Sequence, residues 1–301
     1  MTLPWPLANA LIVDRAHERR DLDMAHATAV VVLGGAVLAS DGRLVELPPS
    51  ERPAASLTVY LGREGVGDGA RDLVAVVPAD PRFGLDDDGL GSERMVGLRD
   101  LLHSFAERGP EAARDRELAS TAVAITTWHA NHPRCALCGE VTTPTHGGWV
   151  RRCDVDSREH YPRTDPAVIV AITDPQDRLL MAHASYWSER RYSHLAGYVE
   201  PGESFEQAAR REVGEEAGLT LASLAYVASQ PWPFPASVMV GFTATVADPA
   251  FSLDNDEITS AMWVAREELP TLVADGTMIL PPGGSIARSL LDDWLLGDRR
   301  E

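Results

Sequence analysis

Three carboxylates stand close together in Arg211-Glu212-Val213-Gly214-Glu215-Glu216-Ala217-Gly218-Leu219. On a helix of about 3.6 residues per turn, Glu212 and Glu216 stack on one face, with Glu215 three residues from Glu212 beside them. Like charges at that spacing weaken a helix by about 0.2–0.5 kcal/mol per pair, a repulsion that a cation between them removes. Hard oxygen ligands completed by water and substrate phosphate suit Mg²⁺ or Mn²⁺. An isolated Glu-Glu pair usually means a solvated helix face, and the residues around this pair argue against that reading.

Ser204 followed by Gln207 is a capping box, and Phe205, Ala208, Ala209 and Val213 form an apolar stripe. Gly218 stands where a left-handed residue ends a helix, while Gly197 and Gly202 let the preceding loop turn sharply and approach a ligand. Arg211 is placed to pair with Glu203 and brace that loop against the helix. The full pattern, Gly-x5-Glu-x7-Arg-Glu-apolar-x-Glu-Glu-x-Gly-apolar over residues 197–219, resembles the Nudix box of hydrolases that cleave a nucleoside diphosphate linked to another moiety.

Downstream, Ser229-Gln230-Pro231-Trp232-Pro233-Phe234-Pro235-Ala236-Ser237 carries prolines at every second position. They prevent pairing as an interior strand and stiffen the segment, so that Trp232 and Phe234 become rigid flat surfaces suited to nicotinamide or adenine rings. Gln230 and Ser237 offer hydrogen bonds to a polar edge. Alone, such a segment is more often a core plug or a partner-docking loop. Following a complete box, it resembles the selectivity signature of the NADH pyrophosphatase branch of the Nudix family.

That resemblance implies further roles. Tyr161, in His160-Tyr161-Pro162-Arg163, contributes to a base pocket; Tyr198, often Phe in relatives, keeps a stacking face; Arg99 and Ala287 contact substrate. The Ala196 carbonyl ligates metal, and Glu257 completes the metal and water site with Glu212, Glu215 and Glu216. The resemblance covers roughly residues 96–296 and implies an α/β/α sandwich around a mixed sheet, and a homodimer whose pockets borrow residues across the interface.

One departure concerns cysteine. The family's zinc ribbon has two Cys-x-x-Cys pairs, whereas here Cys135, Cys138 and Cys153 follow the spacing C-x2-C-x14-C and Asp156 stands where a fourth cysteine belongs. Either Asp156 or His160 completes a zinc tetrahedron, with His132 and His146 ranking behind them, or apolar packing holds the ribbon without metal. A Cys135–Cys138 disulfide is disfavoured by the lack of secretory features.

The elements that position these groups fall into four segments: a β-rich region over 1–93, a helical connector over 94–132, a zinc-ribbon-like segment over 133–163, and the hydrolase domain over 164–301. Apolar runs at 29–38, 56–61 and 73–77 read as strands, and 95–108 and 112–130 as helices. Strands are expected at 167–173, 178–183, 221–228, 237–247 and 259–265, with a closing helix over 285–296. Asp86-Asp87-Asp88 and Asp254-Asn255-Asp256 read as solvated loops.

With no apolar run of membrane-spanning length and a charged, proline-containing start, the chain is expected in the cytoplasm, away from membranes. Its net charge of −18, with all 27 cationic side chains arginine, repels polyphosphate at long range. Any nucleic-acid activity is therefore confined to an end held locally by arginine and metal. The expected reaction is metal-dependent hydrolysis of the pyrophosphate of NADH or NAD⁺ to a nicotinamide mononucleotide and AMP. Removal of NAD caps from RNA, action on ADP-ribose or other dinucleotides, and a weakly catalytic nucleotide sensor are the competing readings.

Overall fold

The computed structural model describes residues 11–84 and 93–297. The acidic run at 86–88 and the first ten residues lie outside the described residues. The chain divides into two compact units, one holding Asp165–Trp232 and Ser237 onward, the other the preceding residues together with Pro233–Ala236.

The first strands of the N-terminal unit are β1 (Thr28–Leu33) and β2 (Ala36–Ser40), which divide the first apolar run at Gly34-Gly35, both at positive φ. They are followed by β3 (Arg43–Leu44), β4 (Glu46–Leu47), β5 (Ala55–Glu64), β6 (Arg71–Pro78) and β7 (Arg94–Gly97). β1 pairs parallel with β6 and antiparallel with β2 and β4. Next come α1 (Leu98–Arg108) and α2 (Ala113–Asn131). The helix expected from residue 95 starts later, because Met95 and Val96 add to the sheet opposite Leu38 and Val37.

A three-stranded ribbon follows, with β8 (Thr142–Thr145), β9 (Val150–Cys153) and β10 (Glu159–His160). Its tip is pressed onto β5. A Cβ at Gly147 would come within 2.8 Å of the Arg20 carbonyl and 3.0 Å of Tyr60, and one at Gly148 within 2.8 Å of Val59.

The other unit contains β11 (Asp165–Thr173), β12 (Leu179–Ala184), β13 (Leu195–Tyr198) and α3 (Phe205–Ala217). β14 (Leu221–Trp232), β15 (Ser237–Val246), β16 (Ile258–Val264), α4 (Leu269–Ala274) and α5 (Ile286–Leu296) complete it. The sheet order is β14-β15-β11-β12-β16, with β13 also on β11; β11 and β15 run parallel and the other pairs antiparallel. Alternation along β11 sets the layers. Val168, Val170 and Ile172 pack with Ala208, Ala209, Val213 and Ala217 of α3, while Ile169 and Ala171 pack with Ile286, Leu290, Leu291 and Trp294 of α5. This is an α/β/α sandwich over a mixed sheet.

Two expectations change here. Phe205, assigned to the apolar stripe, is 43% exposed in the first turn, and Ala217 extends the buried stripe at the other end. The proline-rich segment does join the sheet: β14 runs on through Pro231 and Trp232, opposite Val238 and Ser237. It can do so because β14 is an edge strand, where a missing N–H costs no ladder bond.

Candidate active site

The box forms as its sequence requires. The Ser204 hydroxyl accepts from the Gln207 amide at 3.1 Å, the Gln207 side chain accepts from the Ser204 amide at 2.8 Å, and Gly218 closes α3 at φ 64°. Gly202 adopts φ +100°, so its turn needs glycine. Gly197 serves differently. It lies extended in β13, and a Cβ there would fall 2.0 Å from the Glu212 carboxyl carbon, so the missing side chain is the space that Glu212 occupies.

Arg211 organises the loop. It donates from Nε to Glu203 Oε1 at 2.6 Å and from Nη2 to Glu203 Oε2 and the Tyr198 carbonyl, both at 2.9 Å. Its Nη1 reaches Glu215 at 2.9 Å and Glu212 at 3.0 Å. The Arg211 bonds pull the Glu203 carboxyl down to about 2, so the loop-to-helix brace is charged at any ordinary pH.

Glu216 is the anomaly. It is 5% exposed, and its Oε2 is buried with no hydrogen-bond partner. Desolvation, then the charges of Glu212, Glu257 and Asp254, push its pKa up to about 8, against the pull of the Ala196 amide. Desolvation also raises Glu212. Asp254, read from sequence as part of a solvated loop, is exposed but accepts from the amides of Glu257 at 3.1 Å and Ile258 at 3.0 Å, fixing the turn that carries Glu257. The Asp-Asn-Asp turn signal marked the residue without revealing this role. Tyr186, which no motif indicated, is also coupled electrostatically to Glu216 and Glu257.

The remaining residues divide between the units. Ala196 and Tyr198 are exposed on β13, and the Tyr198 hydroxyl lies 3.1 Å from Ser237 Oγ. Gln230 is engaged by the fold: its Nε2 donates to the Gly284 carbonyl at 2.8 Å and its Oε1 accepts from the Ile286 amide at 2.6 Å, pinning the start of α5. Ala287 accepts from Nε2 of the buried His194 at 3.0 Å. Trp232, half-buried, pairs with Ser237.

In the other unit, the Arg99 guanidinium lies 4.2 Å over the Phe234 ring, so one face of that ring is already covered. Tyr161 is exposed and donates to Glu159 Oε2 at 2.6 Å. A cleft of about 230 Å³ is lined by Trp128, His132, Arg163, Pro235 and Ala236 among others. Pro233, expected as part of the loop surface, is buried.

The three cysteines are free thiols, and the ligand atoms of Cys135, Cys138, Cys153 and Asp156 all lie within 4.8 Å of one another. Asp156 Oδ1 accepts from the Arg158 amide at 3.0 Å, leaving Oδ2 facing Cys135 Sγ at 3.5 Å. His160 takes no place in this group. Three thiols and one carboxylate oxygen are a set that a structural zinc accepts. Among the described residues, the box glutamates do not gather this closely, and Arg211 links Glu203, Glu212 and Glu215.

No described helix is long and apolar enough to cross a membrane. The NUDIX domain family model matches residues 163–280, and that of the NADH pyrophosphatase zinc ribbon domain residues 130–161. The NAD-capped RNA hydrolases NudC of Mycobacterium bovis (strain BCG / Pasteur 1173P2) and Mycobacterium tuberculosis (strain H37Rv) are each 36% identical over 300 residues, covering 96% of this chain and 87% of their own. The human NAD-capped RNA hydrolase NUDT12 is 33% identical over 194 residues, covering 60% of this chain and 42% of its own. With an intact box and both domains in place, the chain belongs to the Nudix hydrolases, in the branch that joins an NADH pyrophosphatase zinc ribbon to the catalytic domain.

Proposed function

We propose that this hydrolase cleaves the pyrophosphate bond of NADH or NAD⁺, giving a nicotinamide mononucleotide and AMP. The observation that carries this reading is Glu216, a buried carboxylate with an unpartnered oxygen, set among Glu212, Glu257 and Asp254. Ionising a carboxylate buried in this way is costly unless a cation neutralises it, and a proton takes that place otherwise. The residues fit a divalent ion, with Glu212, Glu215, Glu216, Glu257 and the Ala196 carbonyl as its holders and Mg²⁺ or Mn²⁺ the matching ions. Bound there, such ions would supply charge neutralisation for the pyrophosphate oxygens and make water more acidic.

The chain's own groups do the rest. Glu216 or Glu257 receives the proton of the attacking water. Arg211 keeps the loop against α3, so that Tyr198 and the β13 backbone stay beside the carboxylates. Trp232 and Tyr198 offer ring surfaces to the substrate's heterocycles, and Ser237 orients the Tyr198 hydroxyl. In the ribbon, the three cysteines and Asp156 would hold a zinc with a structural role.

Cap removal from NAD-capped RNA is the second reading, favoured by what the curated relatives are named for. The net charge of −18 confines contact with such an RNA to its capped end. A pure sensor is disfavoured, since every box glutamate is retained. We place the enzyme in the cytoplasm as a homodimer, free thiols agreeing with a reducing compartment. Steady-state kinetics on NADH, NAD⁺, ADP-ribose and NAD-capped RNA, each with Mg²⁺ and Mn²⁺, test the assignment. Metal-dependent release of AMP from NADH or NAD⁺ supports it, and release from ADP-ribose alone overturns it.

A further inference from the structure

The loop joining β12 to β13 carries Tyr186-Trp187 and then Arg191. Trp187 packs against the apolar core beneath α3, and Arg191 lies 5.3 Å over its ring. Tyr186 meets the Trp187 edge at 5.8 Å and 75°, yet remains 78% exposed. The backbone on each side is fixed: the Ser185 amide donates to the Glu257 carbonyl at 2.8 Å, the Trp187 amide to Ala184 at 3.0 Å, and the Arg191 carbonyl lies 2.8 Å from His183 Nδ1. One residue from Tyr186, the loop is therefore tied to the turn that carries Glu257.

Single exposed rings are common and need no explanation. This one differs in meeting, edge to face, a Trp187 ring that Arg191 covers, on a loop tied to the turn that carries Glu257. Partial desolvation of its hydroxyl, then the charges of Glu216 and Glu257, raise the Tyr186 pKa, while Arg191 opposes them and Tyr198 adds to them. The ring thus stands within electrostatic reach of the catalytic acids and of Tyr198 while belonging to neither the box nor the proline-rich signature. An ordered aromatic face has little conformational entropy left to lose on binding.

We infer that Tyr186, backed by Trp187 and Arg191, is a stacking platform for one planar nitrogen heterocycle of the substrate. This rests on the dinucleotide reading of the site. Either the nicotinamide or the adenine ring supplies that chemistry.

The test compares Tyr186→Ala, Tyr186→Phe and wild type in kcat/KM on NADH, NAD⁺ and ADP-ribose, alongside NAD⁺ binding followed by intrinsic fluorescence. Tyr186→Ala should lose about 5- to 100-fold in kcat/KM, mostly through KM, as for loss of a base–aromatic stack, while Tyr186→Phe stays near wild type. A loss confined to NADH and NAD⁺ assigns the nicotinamide end, and an equal loss on ADP-ribose the adenine end. Unchanged kinetics in Tyr186→Ala, or equal damage in Tyr186→Phe, overturns the platform. Should wild type hydrolyse no dinucleotide, the functional reading fails separately and the binding arm still decides: weaker NAD⁺ binding by Tyr186→Ala sustains the platform, and equal binding removes it.

Discussion

In the ribbon, three thiols and one carboxylate face one another within 4.8 Å, and the surrounding chain holds them there by contacts of its own. Trp149 Nε1 donates to the Tyr60 carbonyl at 2.6 Å, Arg151 Nη1 donates to His129 Nδ1 at 2.8 Å, and His129 Nε2 donates to the Gly148 carbonyl at 2.7 Å. Around α3 the arrangement is the reverse. Acidic groups are spread along a helix and a turn, one buried oxygen lacks a partner, and Arg211 links Glu212 and Glu215. Closed ligand sets with built support belong to structure, whereas open sets with uncompensated charge belong to chemistry. The comparison predicts that perturbing the box affects turnover and perturbing the ribbon affects stability.

The largest effect should come from Glu216→Gln, which keeps size and removes charge. Turnover should fall by about 10²-fold or more with melting temperature maintained or raised. Joint loss of fold and activity would make Glu216 structural. Next is Gly197→Ala. Its Cβ would strike the Glu212 carboxyl, the far end of a side chain that can swing aside, so metal-dependent activity should fall while stability in chemical denaturation changes little. A folded, fully active variant would show that activity does not need Glu212 in this place. Trp232→Ala should cost about 1–3 kcal/mol of transition-state binding for NADH, and less for a slow dinucleotide that lacks the stack. Equal losses on both would reduce Trp232 to loop support.

The ribbon should respond more mildly. Elemental analysis of protein purified without chelator should find up to one zinc per chain, removable by mild chelation because a carboxylate is a harder donor than thiolate. Asp156→Cys should tighten retention and raise melting temperature. Cys135→Ser should leave kcat nearly intact, since glycine packing and Trp149 still seat the ribbon tip. A separate effect concerns pH. The folded-state pKa of Glu216, about 8, lies above the ordinary 4.5, so its stabilising protonated form is complete below the unfolded value and is lost as pH rises through the folded value. In chelator, melting temperature should therefore decline from about pH 5 to about pH 8, and Glu216→Gln should flatten that decline.

Much of this was legible in local grammar. The capping box, the left-handed Gly218 and the Arg211–Glu203 brace each depend on residues close in sequence, and each forms. What escaped depends on partners distant in the chain. Gly197 gave no sign that its missing Cβ accommodates Glu212, and Gln230 gave none that both ends of its amide would bind the start of α5. Periodicity read 95–97 as helix because nothing local reveals that β2 has a free edge for Met95 and Val96. Asp156 was one of two possible fourth ligands until the ribbon's turn brought it to the thiols.

The most direct test of the central claim is chromatographic product analysis of NADH hydrolysis by wild type and Glu216→Gln, with and without Mn²⁺. The account predicts equimolar reduced nicotinamide mononucleotide and AMP from wild type only when metal is present, and almost none from the variant. Equal product from the variant, or from wild type in chelator, would contradict it.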